Sequence, residues 1–293
     1  MSDALDLSRV GGLVTKSITR QPRDGNAVWR VLPAECGMLN AIGLANVGID
    51  AFLREYAPRV SAVPTTIIGS VAGFSIDDYV AVAAAMDGVE AIRAVELNVS
   101  CPNVHGGLEF GSSPALLSDL VRECRRVLTR TRLFVKLSPI AAGPVKLAEF
   151  ARAAVEPGNS PPAGPNHRPG ADALCISNTM PAMAIDVETR TPRLANVTGG
   201  LSGSALHPVA LKLVHDVYRA FARDSGTPLV GIGGVLRWEH AAEFILAGAS
   251  AVQIGTGLFA DPRCPLTVAK GLEKWAARQG VGSIAELVGC LKV

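Results

Sequence analysis

What the chain lacks narrows its possible functions before any motif is considered. No apolar run approaches the ~18 residues that a membrane-crossing helix needs, and the start, MSDALDLSRV, lacks the basic-then-apolar pattern of a secretory leader. The expected location is therefore the cytoplasm, with no membrane contact. The net charge is only +2 and no long run of Lys or Arg occurs, so nothing marks a surface for nucleic acid or anionic lipid. The six cysteines (Cys36, Cys101, Cys124, Cys175, Cys264 and Cys290) include no C-x-x-C pair and no Cys/His spacing suited to zinc or an iron–sulfur cluster. Cys124 falls in a helical pattern and Cys175 in a buried strand, where a small-hydrophobe role is expected. No internal repeat is present, and a small-molecule ligand is the expectation that remains.

What is present points to an α/β protein. With 48% hydrophobic residues and 30 glycines spread along 293 positions, the chain suits one globular domain over residues 1–293. Short β-branched runs predict strands at residues 13–16, 65–71, 94–98, 133–137, 173–177, 229–232 and 251–254. Apolar residues at helical spacing predict helices at 77–86, 114–128, 145–154, 208–223, 238–247 and 266–279. Nearly every strand run ends in a polar or glycine-rich group: Lys16-Ser17, Ser70, Asn98, Lys136, Asn178-Thr179, Gly233-Gly234, Gly255-Thr256. Polar residues at so many carboxyl ends fit a (β/α)8 TIM barrel better than an open sheet with a single switch point. Such a barrel needs an eighth strand, and DALDLSRVGG, ahead of residue 13, reads as a helix end and turn. The first strand is expected to be missing. The segment 156–170, dense in Pro and Gly, reads as a surface insertion with a solvated His167.

The strand ends carry the chemistry. VGIGGV (230–235) and QIGTGLF (253–259) could cradle a phosphate on backbone N–H groups; tight strand-to-helix turns are the plainer reading. Lys16 and Lys136 would rise into the barrel mouth toward an anion, or form an internal ion pair with Glu96. Asn40, Asn98, Asn103 and Asn178 offer donors and acceptors to a planar ligand with amide edges, though each singly could be a turn former. Cys101, held extended by Pro102 ahead of a glycine-rich lid at 104–113, could be a base or a packed thiol.

GLVTKS, MLNAIGLAN, ELNVSCPNV, VKLSP and ISNTMPAMAIDVETRTPRLANVTGGLSG together resemble dihydroorotate dehydrogenase of class 1, most closely the type 1B catalytic subunit, from about Asp6 onward. The resemblance implies an FMN-containing barrel that oxidises dihydroorotate to orotate in pyrimidine biosynthesis, with Cys101 as catalytic base where class 2 enzymes use serine. It implies FMN contacts at Lys16, Ser17, Asn98, Lys136, Gly203, Gly233, Gly234, Gly255 and Thr256. Ser70 and Ser177 stand at flavin positions where the family has asparagine and an apolar residue. It implies substrate contacts at Lys16, Asn40, Ala41, Ile42, Gly43, Leu44, Asn98, Asn178 and Thr179, with Asn103 added from its place in SCPN. NAIGL and TGGLSG resemble type 1B, which passes electrons to NAD through an iron–sulfur flavoprotein partner carrying FAD and [2Fe-2S], as a homodimer core or heterotetramer; type 1A uses fumarate. The family's first strand and its Ala-Ser-Gly flavin contact have no counterpart here, so a translation start upstream of Met1 is expected. Two other readings stay open: a flavin-free subunit, inactive for want of that strand, and a dihydropyrimidine dehydrogenase-like reductase acting on a pyrimidine without a carboxylate.

Overall fold

The computed structural model describes residues 5–99, 110–139, 146–158 and 168–292. In chain order its strands are β1 (Leu13–Val14), β2 (Val31–Ala34), β3 (Gly37–Asn40), β4 (Ile67–Val71), β5 (Ile92–Asn98), β6 (Arg132–Lys136), β7 (Ala173–Ile176), β8 (Met180–Met183), β9 (Ile185–Asp186), β10 (Thr191–Pro192), β11 (Thr198–Ser202), β12 (Leu229–Ile232) and β13 (Ala251–Gln253). Two compact units can be distinguished, Leu7–Asn26 with Ile42–Leu174, and Met1–Asp6 with Ala27–Ala41 and Cys175–Val293; the division falls within β7.

In the first unit β1, β4, β5 and β6 form a parallel ladder, with Leu13 opposite Ile67, Ile68 opposite Ala94, and Ala94 opposite Arg132. Parallel strands need crossovers, which the helices Ile76–Asp87, Pro114–Val127 and Leu147–Val155 supply. The first two begin where their caps dictate. Ser75 Oγ accepts from the Asp78 N–H, with Asp77 and Asp78 in the positive first turn. Ser113 Oγ accepts from the Leu116 N–H, with Pro114 opening the helix. Ala94, Val95, Glu96 and Leu97 are consecutive and all buried, as expected of a strand covered on both faces. Leu97, Leu117, Leu120 and Leu133 are fully buried, each stabilising by about 1.5–3 kcal/mol.

At the amino-terminal edge of that ladder a single carboxylate organises the turn before β6. Asp87 Oδ2 accepts from the N–H and hydroxyl of Thr129, and its Oδ1 from the N–H of Arg130 and the N–H and hydroxyl of Thr131. Burial alone would raise this carboxyl's pKa, but the bonds from Thr131 and Thr129 outweigh it and hold the value at about 2.

In the second unit β12 and β13 pair in parallel, Val230 opposite Ala251 and Ile232 opposite Gln253. The helix His207–Val217 continues through a π turn, Tyr218–Ala222, and stops at Gly226, whose φ of +61° favours glycine. Trp238–Leu246 and Cys264–Gln279 complete its long helices. An antiparallel sheet in the order β2-β3-β11-β8 closes over Leu39, Ala41 and Leu194.

All seven predicted strands are present with boundaries shifted by three residues or fewer, and the fold is of the (β/α)8 barrel class. The antiparallel sheet was not foreseen. Its strands read VLPA, GMLN, TGGLS and MPAM, in which proline and glycine outnumber the β-branched residues that mark a strand in isolation. The helical segment from Gly48 to Val60, interrupted by a π turn at Phe52–Tyr56, was missed as well. Most of the insertion at 156–170, His167 included, lies outside the described residues. Among the described residues, no helix is long and apolar enough to cross a membrane.

Candidate active site

In the first unit the predicted residues stand at the carboxyl ends of neighbouring strands. Ser17 follows β1, Ser70 lies in β4, and Asn98 and Lys136 close β5 and β6, opposite one another in register. The Ser17 and Ser70 hydroxyls are 2.9 Å apart, and Asn98 Nδ2 donates to Ser17 Oγ at 3.3 Å. Thr15 Oγ1 accepts from the Ser70 N–H at 3.0 Å, and Tyr79 Oη donates to the Asn98 carbonyl at 2.7 Å. Both hold the network from outside. Neither Thr15 nor Tyr79 was singled out from the sequence, although Thr15 belongs to the VTKS motif.

Lys136 Nζ lies 3.4 Å from Glu96 Oε1; the Glu96 side chain is 0% exposed and that of Lys136 21%. The ion pair weighed from sequence therefore forms at Lys136, and the buried carboxylate fixes where the ammonium rests. β1 ends at Val14, so Lys16 sits beyond the strand and is exposed.

Ile42, Gly43 and Leu44 form a turn in which Gly43 and Leu44 both have positive φ, +72° and +59°. For leucine that conformation is strained, and Asn46 holds it in place. Its Nδ2 donates to the Leu44 carbonyl and to Thr19 Oγ1, while its Oδ1 accepts from the N–H groups of Thr19 and Gly48. The sequence reading passed over Asn46, though it ends the quoted motif NAIGLAN.

In the second unit Asn40, on β3, donates from Nδ2 to the Gly200 carbonyl at 3.3 Å. A Cβ at Gly200 would collide with Thr179 Oγ1, so this glycine lets Thr179 approach β11. Asn40 and Thr179 are thus brought together around Gly200, a residue the sequence reading did not assign. Asn178 Oδ1 accepts from the Thr179 N–H at 2.7 Å, and buried Ser177 donates its hydroxyl to the Asn178 carbonyl at 3.0 Å. The Ala41 N–H donates to the Arg30 carbonyl at 2.8 Å.

The glycine loops also converge within this unit. A Cβ at Gly234 would stand 2.6 Å from the Gly203 carbonyl oxygen, and one at Gly257 2.8 Å from that of Val235, so the loops after β11, β12 and β13 touch. Gly233 and Gly234 have φ of +147° and +62°. At exposed Gly255 nothing lies within 4 Å of a built Cβ, and Thr256 follows it at the head of the turn Gly257–Ala260. Buried His207 packs under Gly233 and Gly234 and was not anticipated, since it stands just ahead of the predicted helix at 208–223 and belongs to no quoted motif.

Cys101 and Asn103 lie outside the described residues, as does most of the predicted lid. Cys124 and Cys175 are fully buried, and burial pushes the Cys124 thiol pKa up, leaving it inert.

The family model for dihydroorotate dehydrogenase matches residues 1–275. A Trichlorobacter lovleyi protein named as the catalytic subunit of dihydroorotate dehydrogenase B (NAD(+)) is 43% identical over 99% of this chain and 90% of its own length. A Bacteroides thetaiotaomicron protein of the same name is 41% identical over 100% of this chain and 90% of its own. A Solibacter usitatus protein, provisionally named as the A (fumarate) type, is 41% identical over 98% of this chain and 88% of its own. With the predicted motifs at the carboxyl ends of parallel strands and the family match spanning most of its length, the chain belongs to the dihydroorotate dehydrogenase family.

Proposed function

We propose that the chain is the FMN-dependent catalytic subunit of a type B dihydroorotate dehydrogenase, oxidising (S)-dihydroorotate to orotate in pyrimidine biosynthesis. One observation carries the reading. Ser17, Ser70 and Asn98, from three separate strand ends, form a hydrogen-bonded set, with the Lys136 cation on the strand beside Asn98. That set fits a flavin: hydroxyls and an amide for the polar ring edges, an ammonium for the electron-rich side of the reduced ring. The loops at Gly203, Gly233-Gly234 and Gly255-Thr256 fit its phosphate, because open backbone at exposed Gly255 and positive φ at Gly233 and Gly234 suit close approach of an anion. Ser177, fixed on the Asn178 carbonyl, would brace that segment.

Cys101, as thiolate, would take the proton from carbon 5 of dihydroorotate, assistance worth ~10²–10⁴-fold in rate. FMN, when bound, supplies the two-electron acceptor for the hydride leaving carbon 6. Asn40, Asn98, Asn103 and Asn178 would hold the pyrimidine edges, Thr179 and the turn Ala41, Ile42, Gly43 and Leu44 its flank, and Lys16 its carboxylate. The relatives' names, which give NAD(+) and a catalytic subunit, support a separate electron-transfer subunit with NAD as final acceptor; the sequence resemblance implies that this partner is an iron–sulfur flavoprotein carrying FAD and [2Fe-2S]. Nothing in the geometry favours a flavin-free subunit or a dihydropyrimidine reductase.

The test is anaerobic. The purified full chain is loaded with FMN, and the flavin absorbance near 450 nm is followed after mixing with dihydroorotate or with dihydrouracil. Rapid bleaching by dihydroorotate alone is expected. Bleaching by dihydrouracil instead, or failure to retain FMN at all, would overturn the proposal.

A further inference from the structure

We infer that His207 is a positioning residue for the Gly233-Gly234 loop, aiming its backbone toward an anionic phosphate; this rests on the reading of that loop as the FMN phosphate site. His207 is 8% exposed and opens the helix His207–Val217. Its Nδ1 lies 3.1 Å from the Gly233 carbonyl, which can only accept, so Nδ1 carries a proton and donates. Its Nε2 lies 2.6 Å from Glu243 Oε2. Phe244 meets the ring edge-on at 5.1 Å and His240 stacks on it at 4.5 Å, so the imidazole plane is set from three directions.

The consequence follows from peptide geometry. The Gly233–Gly234 bond is trans, so its N–H points opposite to its C=O. Holding the Gly233 carbonyl on His207 therefore turns the Gly234 N–H away from the imidazole, to the other face of the loop. With φ of +147° and +62°, two glycines could otherwise flip this peptide at little cost. A fixed donor costs nothing to orient when an anion arrives, whereas a freely rotating one must be ordered at that moment. His240 packs against the same loop, its Nδ1 3.0 Å from the Gly234 oxygen and 3.3 Å from the Leu236 backbone nitrogen.

The experiment measures FMN and riboflavin dissociation constants of the full-length apoprotein by quenching of flavin fluorescence. Asparagine places its amide near the position of Nδ1, glutamine nearer that of Nε2. His207→Asn should therefore keep FMN affinity close to that of the unsubstituted protein. His207→Gln should weaken FMN about tenfold, the scale of one lost hydrogen bond, and leave riboflavin unchanged. Should the glutamine variant not fold, Glu243→Ala removes the brace on Nε2 from a side chain 51% exposed and should lower the FMN-to-riboflavin preference. Equal FMN affinity in the asparagine and glutamine variants, or an unchanged preference in Glu243→Ala, overturns the role of His207. If the unsubstituted protein binds riboflavin as tightly as FMN, the phosphate reading itself fails, and the inference with it.

Discussion

Asn98 donates its side-chain amide to the hydroxyl of Ser17 at 3.3 Å, joining positions 81 residues apart. Strand pairing alone makes this contact possible, because β1 and β5 both flank β4 and end at the same edge. Asn98→Ala should therefore affect ligand binding more than folding. FMN or dihydroorotate affinity should fall by about 10-fold to 100-fold, the scale of one or two lost hydrogen bonds, with a thermal midpoint within a few degrees of the original. Titration calorimetry and a melting curve check both, and a collapse in midpoint with unchanged affinity would place Asn98 in the structure rather than the site.

The buried Glu96 beneath Lys136 allows a second prediction. Glu96→Gln leaves a half-buried ammonium without its counter-ion and should cost roughly 2 kcal/mol, below the range for a fully buried pair because Lys136 keeps some solvent. Adding Lys136→Met should recover part of that loss, as measured by urea unfolding. A double variant less stable than the sum of the singles would contradict the pairing.

Asp87 should dominate the acid limb of stability. Its folded pKa of about 2 lies below the ordinary 3.8, so its contribution is present above pH 3.8 and is lost as pH falls toward 2. The full span is worth about 2 kcal/mol. Asp87→Asn should remove that slope between pH 4 and 2 and leave kcat at neutral pH unaltered, since the carboxylate braces the turn before β6, at the opposite end of that strand from Lys136. Parallel stability curves for the two proteins over that range would count against it.

Cys101→Ser bears on the proposed base. FMN content should be retained and dihydroorotate oxidation at neutral pH slowed by at least ~10²-fold, because a hydroxyl ionises far less readily than a thiol. Stopped-flow reduction of the flavin measures it. Oxidation at an undiminished rate would remove the cysteine from the proton transfer.

Where a candidate site residue terminates a strand, the sequence was enough to place it there. An apolar run followed by Asn98 or Lys136 reads as a strand with a polar end, and both stand there. Residues that act through pairing were not legible in the same way. Gly200 looks like any turn glycine until β11 lies beside β3 with Thr179 against it, a partnership spanning 160 residues between Gly200 and Asn40. His207 stands one residue ahead of the predicted helix and carries no signal of its own, and only in the folded chain does the loop after β12 come to rest on it.

Hydrophobic period and β-branched runs, read along the chain, settled the alternation of strands and helices and the polar groups at the strand ends, because each depends on neighbours within a few positions. Folding in three dimensions decided the partners: Ser17 with Ser70, Lys136 with Glu96, the glycine loops with one another. Those contacts depend on strand register and on which loops come to rest together, and packing across the whole core sets both.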